Sequence, residues 1–127
     1  MNFQMTESGF TTTFEHGNIH ISGDETQGFR PYQLLVSSIA VCSGGVLRKV
    51  LEKRRMVVDD IQLSAEVQRN EEEANRVEAI HLHFRMKGVD LDEEKIRKSL
   101  DITFKNCSMA QSVKDSIRLT DSFEIVS

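Results

Sequence analysis

Tryptophan is absent from the 127 residues, proline and tyrosine occur once each, and there are two cysteines. Two thiols are too few for a disulfide-stapled scaffold, and too few for a structural zinc site unless histidines help. Excess positive charge is also missing. The formal net charge of -4 disfavours nucleic acid as a partner, because phosphate binding needs a basic surface. The longest apolar stretch, Leu34 to Leu47, runs 14 residues and contains three Ser and two Gly, so it reads as a buried core helix and not as a membrane span. The opening MNFQMTESGF has neither a basic segment nor an apolar run of the kind that targets a chain for export. A cytoplasmic, reducing location is therefore expected, with no membrane partner. There is no C-x-x-C pair, phosphate-cradling glycine loop, internal repeat, low-complexity segment or linker, so residues 1–127 read as a single domain of ordinary size.

The hydrophobic pattern predicts an α+β chain. Phe10, Thr12 and Phe14 alternate with polar neighbours, His16-Gly17-Asn18 signals a turn, and Ile19 and Ile21 repeat the period of two. A hairpin is expected over residues 9–23, followed by a polar loop over 24–29. Pro31 suits the first turn of a helix, where its missing N–H is not needed. Apolar residues then recur at three- and four-residue spacing to Leu51, on a face that ends in the basic cluster Arg48-Lys49-Lys53-Arg54-Arg55, which complements a helix C-terminus. Ile61, Leu63, Ala65 and Val67 alternate with polar residues. So do Ile80, Leu82, Phe84 and Met86 beyond an acidic loop, which predicts a second hairpin. Asp90 and Glu93 resemble a capping box opening a helix to Phe104, with Ile96 and Leu100 on its buried stripe. A helical turn from Cys107 to about Lys114 and a strand from Ile117 to Ile125 complete the order ββ-α-ββ-α-α-β.

Few residues promise chemistry. Cys42 lies on the apolar face of the long helix and is followed by Gly44 and Gly45. Each mid-helix glycine costs about 1 kcal/mol relative to alanine, which suggests a close approach by another backbone or a ligand. Cys42 reads either as a core filler beside tight packing or as a reactive thiol. Cys107 opens a helical turn, where backbone N–H groups stabilise a thiolate, or else serves as an ordinary cap. His81 and His83, at i and i+2, share a strand face and suit a metal pair. With no third ligand at matching spacing, they read as solvated surface histidines, and no metal site is expected. His16 and His20 belong to the first hairpin. Nothing marks a Ser-His-Asp triad, and no histidine is tied to either cysteine motif, which weakens a cysteine-hydrolase reading.

Two segments resemble the OsmC/Ohr family (osmotically inducible protein C and organic hydroperoxide resistance protein). They are G-F-R-P-Y-Q-L-L-V-S-S-I-A-V-C-S-G-G-V-L over residues 28–47 and N-C-S-M-A-Q-S-V-K over residues 106–114. The order of elements matches over nearly the whole chain. The resemblance implies an intertwined homodimer, antiparallel hairpins around a long central helix, and both cysteines in a pocket at the subunit interface. It also implies thiol-dependent reduction of organic hydroperoxides without a cofactor. Cys42 would be the peroxidatic residue and Cys107 the resolving one, with a dithiol reductant reopening their disulfide. Family peroxidases carry a Glu directly after the helix-start Pro and an Arg from the N-terminal strands. Here Tyr32 follows Pro31, no Arg precedes Arg30, and Ser108 follows Cys107 where the family has Pro. A thiol buried without a cation has a raised pKa, so weak or divergent activity is expected, with Arg30 and Tyr32 as candidate supporting residues. Arg30 could reach the thiol from a partner subunit. The alternative is a non-catalytic dimeric module whose interface pocket binds an apolar small molecule.

Overall fold

The computed structural model describes residues 1–126. It contains β1 (Gln4–Met5), β2 (Phe10–Phe14), β3 (Gly17–Ile21), α1 (Pro31–Lys53), β4 (Val58–Asn70), β5 (Arg76–Gly88), α2 (Glu93–Asn106), α3 (Ser108–Val113) and β6 (Arg118–Val126). This is the expected α+β order with two additions, the two-residue β1, too short to show a period, and a 3-10 turn over Glu71–Glu73 between β4 and β5. The chain forms two compact units, Met1–Ser37 and Ser38–Ser127, and α1 runs through the boundary.

In the first unit β1, β2 and β3 form an antiparallel sheet in that order. Thr12 is buried and donates to the Asn2 carbonyl at 2.6 Å, whereas Phe10 and Phe14 are exposed. Phe29 N–H donates to the His20 carbonyl, which ties the loop before α1 back to β3. That loop passes so close that a Cβ at Gly28 would lie 2.7 Å from the same oxygen, so only glycine fits there.

In the second unit β5 is central, antiparallel to β4 and parallel to β6. The last strand is thus not another hairpin arm. The α2–α3 connection returns the chain to the same end of the sheet, as a parallel pairing requires. Leu82, Phe84 and Met86 of β5, Leu47 and Leu51 of α1, and Ile96 and Leu100 of α2 are nearly or wholly buried and make the core. Phe84 meets Phe104 of α2 edge-on, with centroids 6.3 Å apart. On β4, by contrast, Ile61, Leu63 and Val67 are only half-buried and Ala65 is exposed.

Three local details depart from the sequence reading. The cap of α2 is Asp92, not Asp90: the Asp92 carboxylate accepts the Lys95 N–H at 3.0 Å, while Asp90 sits at φ 58 in the preceding loop. A left-handed residue cannot present its side chain as an N-cap, which needs extended backbone. The two helical glycines also differ: a Cβ on Gly44 would meet the Leu63 methyl at 2.8 Å, while one on Gly45 would meet nothing within 4 Å. Only Gly44 marks a close approach. Finally, α1 is long and apolar enough by composition to cross a membrane, with mean hydropathy 1.6 over its most apolar 18-residue window. A third of that window is buried, so the expected core helix leaves much of its surface uncovered.

Candidate functional site

The two cysteines, 65 positions apart in sequence, meet where α1 passes α3. Both are free thiols; Cys42 is half-buried and Cys107 is fully buried. Cys107 caps α3, its sulfur accepting the Ala110 N–H at 3.4 Å. Ser43, the next residue after Cys42 and itself buried, donates its hydroxyl to the same sulfur at 3.4 Å. From the other side of the junction, Ser108 places its Oγ 3.8 Å from the Cys42 sulfur. The site therefore interlocks: the neighbour of each cysteine touches the other cysteine.

This arrangement reverses the expectation for the Cys42 thiol. Its pKa is lowered, first by the Met109 backbone N–H and then by hydrogen bonding with Cys107. Partial desolvation opposes the shift, and the hydroxyl and N–H of Ser108 add to it. These donors favour the charged form, as a cation would. The sequence reading assigned the amides of this turn to Cys107 and looked to a guanidinium or carboxylate for Cys42, because residue types do not say which thiol a backbone amide meets. The available signal was Ser108 itself, since a residue other than proline after Cys107 keeps its N–H.

Arg30 and Tyr32 belong to the first unit, where the guanidinium lies over the Tyr32 ring, 4.8 Å from its centroid. His16 and His20 are exposed on the first hairpin. His81 and His83 are not simply solvated: both are half-buried, and all four ring nitrogens have hydrogen-bond partners. Among the described residues, no group of three or more metal-ligating side chains gathers.

The fold and this cysteine pair define a class that sequence comparison identifies. The chain belongs to the family described as OsmC-like protein, whose model matches residues 22–121. It is 28% identical over 106 residues to Protein YhfA of Escherichia coli, a match covering 83% of this chain and 78% of that relative. A hypothetical protein from Aquifex aeolicus, 26% identical, superposes with a TM-score of 0.87 over 98% of this chain and 93% of its own. The organic hydroperoxide resistance protein OhrB of Bacillus subtilis shares the fold at 18% identity and a TM-score of 0.66, over 98% of both chains.

Proposed function

We propose that the protein reduces organic hydroperoxides, with Cys42 as the peroxidatic thiol and Cys107 as the resolving one. The observation that carries this reading is the juxtaposition of the cysteines with Cys42 held below its ordinary pKa. Membership of the OsmC-like family supports it. So does the shared fold with a protein named for organic hydroperoxide resistance.

The Cys42 thiolate attacks the terminal oxygen of R–O–O–H. The O–O bond breaks, the alkoxide leaves as the alcohol after taking a proton, and Cys42 becomes a sulfenic acid. Cys107 then attacks the Cys42 sulfur, water leaves, and a disulfide forms. A dithiol reductant restores both thiols, so the cycle needs no cofactor. Met109, whose N–H reaches Cys42, leaves its side chain exposed, as does Val41 on α1. Apolar side chains flanking the thiol favour alkyl hydroperoxides over hydrogen peroxide.

The family match crosses the boundary between the two units, which supports reading residues 1–127 as one working domain. The exposed apolar surface of α1 supports a homodimer, in which Arg30 of the partner subunit supplies a cation at the thiol. With cumene hydroperoxide and a dithiol, steady-state peroxide consumption should depend on Cys42 and vanish in Cys42→Ser. Consumption that survives this substitution would remove Cys42 from the mechanism.

A further inference from the structure

Away from the cysteines, the polar face of the β5–β6 pair carries an ordered chain of side chains. The parallel register sets His81 beside Thr120, His83 beside Ser122 and Arg85 beside Glu124. His81 Nδ1 lies 2.7 Å from Thr120 Oγ1 and its Nε2 lies 2.8 Å from Ser122 Oγ. His83 Nδ1 lies 2.7 Å from that same Ser122 oxygen, and its Nε2 lies 3.1 Å from Glu124 Oε2. Arg85 Nε holds the other Glu124 oxygen at 3.1 Å.

With both histidines neutral, these contacts admit one proton arrangement. A carboxylate only accepts, so His83 Nε2 carries the hydrogen and His83 Nδ1 accepts. Ser122 has a single hydrogen and gives it to that Nδ1. His81 Nε2 must then donate to Ser122 Oγ, which leaves His81 Nδ1 to accept from the Thr120 hydroxyl. A polar sheet face needs no such order to stay hydrated. What distinguishes this one is the sequence hydroxyl, imidazole, carboxylate, with the carboxylate fixed in turn by Arg85. That is the geometry of an activated nucleophile, its base and the group orienting the base.

We propose that Ser122, His83 and Glu124 form a second site, independent of the thiols, that transfers acyl groups from small carboxylic esters. Ser122 Oγ attacks the ester carbonyl carbon as its proton passes to His83 Nδ1. The carbon–oxygen bond to the alcohol breaks, and the alcohol leaves with the proton from His83. Water, deprotonated by His83, then cleaves the acyl-serine and releases the carboxylic acid. Glu124 is a positioning residue, holding His83 in the accepting tautomer.

The test uses Cys42→Ala protein, which lacks the half-exposed thiol that would itself be acylated. With 4-nitrophenyl acetate, peptide mass mapping should find an acetyl group on Ser122. Nitrophenol release should be at least about tenfold faster than after a further Ser122→Ala or His83→Gln substitution. Glu124→Ala should lower kcat for release at unchanged KM, and Glu124→Asp, which keeps a carboxylate, should restore part of it. A merely structural Glu124 would leave kcat in place. Full-rate release in the Ser122→Ala protein, or acetylation only at other residues, overturns the proposal. The mapping on the parent protein needs no further variant to be decisive.

Discussion

At position 108 a serine follows Cys107 where the family pattern has proline, and the difference is two hydrogen-bond donors aimed at Cys42. One is the Ser108 hydroxyl, the other a backbone N–H that proline lacks. Because only the thiolate is alkylated, a lowered pKa makes the iodoacetamide rate reach its plateau at lower pH. Ser108→Pro should raise that midpoint, with the fold kept because proline is accepted at the first position of a helix. Ser108→Ala, which loses only the hydroxyl, should raise it less. The larger Met109 contribution remains in both, so neither variant should reach the value of a free thiol. An unmoved midpoint in Ser108→Pro would separate the serine from the thiol's reactivity. The same titration on Arg30→Ala tests the partner cation: a raised midpoint supports it, and an unchanged one removes it. The two cysteines were legible in the sequence as site markers, whereas their environment was not. Periodicity placed Cys42 on an apolar face but could not say that the first turn of α3 lies against it.

Among the elements, α1 shows how uneven that legibility is. Its start was readable because Pro31 fixes backbone geometry suited to a first turn. Its end was readable from the basic residues, and the helix stops at Lys53, but no glycine or asparagine foretold how it closes. The structure closes the helix with Arg55 at φ 59, the Arg55 N–H bonding the Glu52 carbonyl and the Met56 N–H bonding the Leu51 carbonyl at 2.9 Å. These are the two bonds of a Schellman motif, with arginine in the left-handed position that glycine usually takes. Arg55→Gly should therefore stabilise the protein by about 0.5–1 kcal/mol, seen as a higher urea midpoint at unchanged slope. A lower midpoint would mean that the Arg55 side chain contributes more than its backbone costs. The same limit explains the α2 cap, where Asp90 and Asp92 are both plausible by residue type and only the backbone separates them. It also explains β6: alternation identified the strand, but alternation is identical in parallel and antiparallel partners.

For the whole molecule, the uncovered surface is the feature to explain. Val41 on α1 is 70% exposed, and the core-facing side chains of β4 are half-open. The homodimer proposed above would cover Val41 and the rest of the exposed face of α1. Sedimentation should give twice the chain mass, and Val41→Glu should shift the population toward the single chain. A wild-type protein that stays monomeric at micromolar concentration would contradict the dimer. The most direct test of the central claim is the mass of reduced protein after stoichiometric cumene hydroperoxide. Wild type should lose two hydrogens as Cys42 and Cys107 join. Cys107→Ser, which keeps a capping oxygen at α3, should instead gain one oxygen on Cys42, and Cys42→Ser should not change. Thiols that remain reduced under excess peroxide would contradict the claim.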